Sequence, residues 1–250
     1  MPKINVGGVW KNGVAYVNVG GIWKPGLVYL NVGGVWKAEY KTLGTLALGD
    51  KVYLTISGTA KQFLVIGKDH HAAGTVTLMP KDYCGATTYS AYRSGSALAQ
   101  YDGSTLDVAM NTSFYGKLSA AEQALCQTVN IDVYAPAIGY YTLARKVFAL
   151  SETETGCTAA AYVEGSRCLY FDVDDAGANT KRDSFYDGAT AKSWWTRTCS
   201  STNARQVNSS GYLGTQAQTS VSMLRAALVI LSSQRISETP DGSGVYSFVT

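Results

Sequence analysis

Apolar residues in the body of this chain come in short runs broken by glycine and serine, the pattern of strands joined by turns. Residues 46–56 and 61–66 flank a predicted turn at Gly58, and residues 74–79 read as a third strand. The period then changes. Leu106, Met110 and Phe114 recur every four residues, which places them on one face of a helix. Ser104 with Asp107, and Ser119 with Glu122, each set a hydroxyl three residues before a carboxylate, the arrangement that satisfies free N–H groups at a helix start. Ser151 with Glu154 repeats the signal, and Gly156 offers a stop. The last third returns to strands: residues 204–208, a Ser-Ser-Gly turn, Tyr212 with Leu213, and residues 223–230. Strands, then helices, then long loops and strands again predict an α+β fold rather than alternating βαβ units.

The first forty residues follow a different rule. Asn5 to Lys11, Asn18 to Lys24 and Asn31 to Lys37 are near-copies of one heptad at a strict spacing of 13 residues. In each, two glycines stand between β-branched neighbours, as a two-residue hairpin turn requires. An isolated two-stranded hairpin with such short arms is marginal in water. Trp10, Trp23 and Trp36 therefore need burial against one another, the body or another chain. Two readings stay open: a small meander on its own domain, or an anchoring and oligomerisation module. The chain divides into residues 1–42, a β-hairpin repeat module, and residues 43–250, one domain.

Composition narrows the class. Only 16% of residues are charged, while 26 glycines and 17 tyrosines give the profile of a β-rich, loop-rich surface protein. A net charge of +3 without a basic block argues against nucleic acid and against a polybasic membrane contact. No apolar run approaches a membrane span, so membrane insertion is not expected. The opening Met1 to Asn5 lacks the apolar region of a signal peptide, which predicts a protein made in the cytoplasm and released within a larger particle or by lysis. The five cysteines (Cys84, Cys126, Cys157, Cys168, Cys199) form no paired motif and read as buried thiols, with a Cys157–Cys168 bridge left open.

An ordered set of blocks in the body carries a resemblance: Tyr101 to Leu106, Met110 to Ser119, Phe148 to Glu152, Ser193 to Thr198 (SWWTRT), Gln206 to Gly211 and Leu224 to Leu228. Over residues 45–235 the chain resembles a C-type-lectin-like domain family of unassigned function from gut Firmicutes and their phages. The heptads separately resemble repeats at the ends of phage tail and head-fibre proteins. The resemblance implies a C-type-lectin-like domain displayed on a virion, docked to other virion proteins through the repeats, homo-oligomeric with a trimer favoured, and contacting a bacterial surface glycan or protein. The calcium-lectin motifs of that fold are absent, and Arg225-Ala226 stands where the family has Arg-Pro.

The polar stretch after Trp194 is the candidate ligand face: Trp195, Arg197, Ser200, Ser201, Asn203, Arg205, Asn208, Tyr212 and Gln216, with Gln206 among them. Tyrosine supplies area there, and serine, asparagine and glutamine supply hydrogen bonds. Neighbouring residues on a strand point to opposite faces, so one of Trp194 and Trp195 is expected in the core. Arg197 and Arg225 have a competing role, pairing with a buried carboxylate such as Asp172. Asp172 to Asn179 alternates carboxylates before a glycine but misses the full calcium-loop pattern, and a solvated turn is the expectation. His70 and His71 have no cysteine at metal spacing, so neither metal nor cofactor is expected. No nucleophile elbow, zinc-protease or phosphate-loop motif occurs, and the chain reads as a binding protein rather than an enzyme. The alternatives are a surface-acting glycan hydrolase and a virion component without ligand.

Overall fold

The computed structural model describes residues 41–88, 100–173, 180–182, 190–200 and 203–249, together with the backbone of seven strands within 1–40 and 185–186. Each heptad forms a hairpin: β1 (Lys3–Val6) with β2 (Val9–Asn12), β3 (Tyr16–Val19) with β4 (Ile22–Pro25), and β5 (Tyr29–Val32) with β6 (Val35–Ala38). The register is the same in all three. Asn5 faces Trp10, Asn18 faces Trp23 and Asn31 faces Trp36, so that two residues connect the arms each time. The side chains of Trp10, Trp23 and Trp36 lie outside the described residues.

In the body, β7 (Lys51–Ile56) and β8 (Thr59–Lys68) turn at Ser57 and Gly58, with φ of 50° and 78°. Two successive positive φ values make the mirror-image turn whose twist suits a hairpin. Then come β9 (Thr75–Pro80), β10 (Ala86–Thr88), the long hairpin β11 (Val129–Ala135) with β12 (Gly139–Arg145), and β13 (Val147–Ala149). The last part holds β14 (Phe185–Tyr186), β15 (Thr190–Ala191), β16 (Trp194–Ser200), β17 (Asn203–Val207), β18 (Leu213–Ala217), β19 (Val221–Met223), β20 (Ala226–Leu231) and β21 (Val245–Tyr246).

Two sheets dominate. The larger runs β13-β20-β9-β8-β7-β21, and the smaller runs β10-β19-β16-β17-β18. Polar and apolar positions alternate in β7, where Val52, Leu54 and Ile56 point inward. Every residue of β9 is buried, as are all but Leu231 of β20, so these strands are covered on both faces. The predicted single strand over 223–230 is divided, because β19 belongs to one sheet and β20 to the other. Arg225 lies in the gap. Its guanidinium donates to the Pro80 carbonyl at 3.1 Å and the Arg182 carbonyl at 2.8 Å, and lies 5.2 Å from the Trp194 ring centroid.

The helical segments are short. Leu106, Met110 and Phe114 are fully buried, as their spacing predicts. The helix α1 (Thr105–Val108) widens into a π-helical turn over Ala109–Phe114 and tightens again at Tyr115–Lys117. An α-helix overshoots a full turn by about 40° every four residues. A wider turn corrects that drift and keeps a four-residue stripe on one face. The capping box of Ser119 and Glu122 starts α2 (Ala120–Leu125), and a Glu122 carboxylate oxygen also accepts from the Thr55 N–H at 2.5 Å, tying the helix to β7.

The α+β expectation is corrected here. The fold is nearly all-β, with 43% strand and 12% helix. Capping signals mark where a helix can begin and say nothing of its length. At the third such signal Ser151 accepts from the Glu154 N–H at 3.0 Å while the Glu154 carboxylate accepts from the Ser151 N–H at 3.1 Å, yet no helix follows. Gly156, at φ 93°, turns the chain away instead. Among the described residues no helix is long and apolar enough to cross a membrane.

A Cβ at Gly156 would stand 2.1 Å from the Asp172 carbonyl oxygen, on top of the unfavourable φ. Gly156→Ala is therefore expected to lower stability by roughly 2–4 kcal/mol. Urea denaturation followed by tryptophan fluorescence reads this directly; an unchanged midpoint would show that the turn is free to move.

Candidate functional site

β16 sits in the middle of the smaller sheet, and both of its faces are covered. Trp195 enters the main core, while Trp194 enters a second cluster with Cys157, Val207 and Leu213. Alternation holds, and because both faces are covered both rings are fully buried. Trp195 Nε1 donates to the Thr87 carbonyl at 2.9 Å and Trp194 Nε1 to the Arg182 carbonyl at 2.9 Å.

Arg197 is fully buried as well. Its two terminal nitrogens grip the Glu154 carboxylate at 2.6 and 2.7 Å. The same guanidinium donates to the carbonyls of Asp132 at 2.9 Å and Ala149 at 3.0 Å. Burial acts to raise the pKa of Glu154, but the Arg197 charge outweighs it and holds the carboxyl well below the usual range. Asp172, the carboxylate expected here, is instead exposed and paired with Lys181 at 2.8 Å. Residues 174–179 of the acidic turn lie outside the described residues.

Two more carboxylates complete this interior cluster. Glu152 accepts from Arg205 Nε at 2.6 Å. Glu164 accepts from the Tyr134 N–H at 2.8 Å and from the Thr198 hydroxyl. Burial pushes the Glu164 carboxyl up to about 7, against the opposing pull of Arg197 and Thr198. These groups hold the 151–164 segment against β11 and β16. Being buried and mutually satisfied, they form a scaffold and not a ligand face.

The nine predicted ligand residues do not form one surface. Trp195 and Arg197 are corrected to interior positions, because their polar atoms serve buried carbonyls and a carboxylate. Arg205 is half-buried on Glu152. Ser200 and Asn203 flank the β16–β17 turn, whose Ser201 lies outside the described residues. Asn208 and Tyr212 stand at the opposite end of β17, where the Asn208 carboxamide accepts from the N–H groups of Ser210 at 2.9 Å and Tyr212 at 3.0 Å. Tyr212 is 47% exposed and open to a partner.

Gln216 is the predicted residue that lines a cavity. With Gln206, Ser222, Lys192, Ser193, Val221 and Met223 it encloses about 230 Å³ on the smaller sheet. A chain of neutral polar groups crosses the floor. Ser222 donates to Gln206 at 2.9 Å, Gln206 reaches Gln216 at 3.5 Å, and Gln216 donates to Ser220 at 2.7 Å. Strand pairing explains the convergence. Gln206 is opposite Gly214 and diagonal to Gln216 across β17 and β18, while β19 brings Val221 and Ser222 alongside β16. Val221 is 65% exposed and offers an apolar wall. Side-chain amides, hydroxyls and one lysine suit a neutral, hydroxyl-rich ligand. Among the described residues the cavity holds no carboxylate and no histidine.

The partners Glu152, Glu154 and Glu164, and the cleft residues Val221, Ser222 and Met223, escaped the sequence reading. Of the cleft residues, the polar stretch after Trp194 points to Gln206 and Gln216. All five cysteines are thiols, and burial pushes those of Cys84 and Cys126 up to about 12.

The chain belongs to the family described as a domain of unknown function, DUF6273, whose model matches residues 73–232. That stretch contains the cluster partners from Glu152 to Arg205 and every residue of the cleft. No curated protein matches the chain, and no solved structure matches it.

The raised pKa of Glu164 makes stability depend on pH in a defined direction. The folded state holds its proton up to about 7, whereas an unfolded glutamate loses it near 4.5. The contribution is full below the unfolded value and is lost as pH rises through the folded one, a change on the order of 3 kcal/mol. Wild-type protein should lose stability between about pH 5 and 8 in urea titrations, and Glu164→Gln should flatten that slope. Parallel slopes would show that the carboxyl titrates normally.

Proposed function

We propose that this member of the DUF6273 family is a bacteriophage virion protein of tail- or head-fibre type. Its N-terminal hairpins dock it to other virion proteins and to copies of itself, with a trimer favoured. Its all-β body contacts a bacterial surface glycan or protein. The observation that carries the binding role is the amide-lined cleft around Gln206, Gln216 and Ser222. Its donors and acceptors stand in line beside the apolar edge of Val221 and Met223. A sugar presents the same combination, hydroxyl groups on an apolar ring face.

The anchoring role draws on the repeats. Three hairpins share one register and one spacing, and a two-stranded hairpin gains stability from a partner surface. Stacking them against copies of the chain would supply such a surface and set several clefts side by side. Avidity then compensates for a weak single contact. A hydrolytic role has less support, because the clustered carboxylates Glu152, Glu154 and Glu164 are buried on arginines or backbone and stand apart from the cleft.

Two measurements test these parts separately. Gln206→Ala with Gln216→Ala, exposed enough to leave the fold intact, should weaken binding of fluorescent protein to host cells by about tenfold or more, at least 1.4 kcal/mol. Undiminished binding would exclude the cleft. Deleting residues 1–40 should reduce the oligomer to monomers by light scattering and abolish incorporation into particles. Normal assembly of the truncated protein would exclude the docking role.

A further inference from the structure

We propose that His70, His71 and Glu154 form a site for a divalent ion of the zinc class. This departs from the expectation drawn from sequence, in which the two histidines had no third donor. Glu154 lies 83 residues from His71 and becomes its neighbour only through the fold. One ligand atom from each of the three residues lies within 4.8 Å of the others.

The geometry between the two buried members fits such an ion. His71 Nε2 and Glu154 Oε1 are 3.2 Å apart. Two donors at about 2 Å from a tetrahedral ion stand roughly 3.3 Å apart. The remaining contacts already resemble the outer shell of a metal site. His71 Nδ1 lies 2.9 Å from the Thr77 hydroxyl, a partner that fixes the ring and leaves Nε2 to face the carboxylate. Glu154 Oε2 is held by Arg197 Nη1 at 2.6 Å and by the Ser151 N–H at 3.1 Å. Oε1 also receives Arg197 Nη2 at 2.7 Å. The hydrogen bond to His71 is thus the contact that an ion can replace without disturbing the others. An ion takes the Nε2 lone pair of the neutral tautomer whose proton sits on Nδ1, where it is donated to the Thr77 hydroxyl.

His70 supplies the third donor and the way in. It lies with His71 in the connection between β8 and β9, its ring edge-on to His71 with centroids 4.5 Å apart. The His71 side chain is only 4% exposed, whereas His70 is half-buried and reaches toward solvent. Water completes a four-coordinate set. Two imidazoles and a carboxylate suit zinc and its late first-row neighbours better than calcium or magnesium, which prefer all-oxygen shells.

The test uses the full chain, stripped with chelator. Titration with ZnCl₂ by calorimetry should show one ion per chain, and CoCl₂ should give the visible absorption of a four-coordinate site. Saturating zinc should raise Tm by several degrees. His70→Ala leaves the Glu154–Arg197 contacts in place and should weaken binding by roughly tenfold or more while keeping the apo Tm. His71→Gln should do the same if it folds. No heat and no absorption up to about millimolar ion would overturn the proposal. So would His70→Ala protein that binds as tightly as wild type.

Discussion

The bidentate contact between Arg197 and Glu154 is the constraint around which the body is arranged. A buried guanidinium and a buried carboxylate each lose several kcal/mol of hydration, and the pair is tolerable only when every donor and acceptor is satisfied. Here they are. Arg197 reaches Glu154, Asp132, Ala149 and Glu164, and its own N–H donates to the Leu150 carbonyl at 2.8 Å. One side chain thereby joins β16 to the β11 hairpin, to β13 with the residue that follows it, and to the irregular 151–164 segment. Removing either partner strands the other charge in the interior, which explains why so much irregular chain keeps a single course without disulfides.

That anchor also decides which residues of the smaller sheet reach the surface. With Trp195 and Arg197 committed to the core and Trp194 to a second cluster, β16 is buried from Trp194 to Cys199 and reaches solvent only at Ser200. Its neighbours take over the outer surface. β17, β18 and β19 are partly exposed: Gln206 and Gln216 are half-buried, Val221 stands out to solvent and Ser222 lies beneath them. The cleft is thus built on strands held by a central one, a rigid platform for a set of adaptable polar side chains.

What could be read from sequence follows how far each signal reaches along the chain. The Gly-Gly hairpins, the Ser57-Gly58 turn, the Ser119–Glu122 cap and the Leu106–Met110–Phe114 stripe depend on neighbours a few residues apart, and all appear in the structure. Pairings across long separations were illegible. Arg197 finds Glu154, 43 residues away in a segment without periodicity, and the nearer Asp172 goes to Lys181. The fold class failed for a related reason. Three capping signals suggest helices, but the first two head runs of only 105–117 and 120–125, and the third is bent away at Gly156. In the candidate site, polar residues on both sides of a turn looked like one surface, although turns at opposite ends of β17 separate Asn203 from Tyr212.

The buried arginines share one more property. Arg182, Arg197 and Arg225 make many of their bonds to main-chain carbonyls: those of Thr155, Gly211, Asp132, Ala149, Pro80 and Lys81 among them. A carbonyl is the same whatever side chain its residue bears. Segments held in this way can exchange their outward residues over generations while the chain keeps its path. That amounts to freedom for the surface to vary without renegotiating the fold.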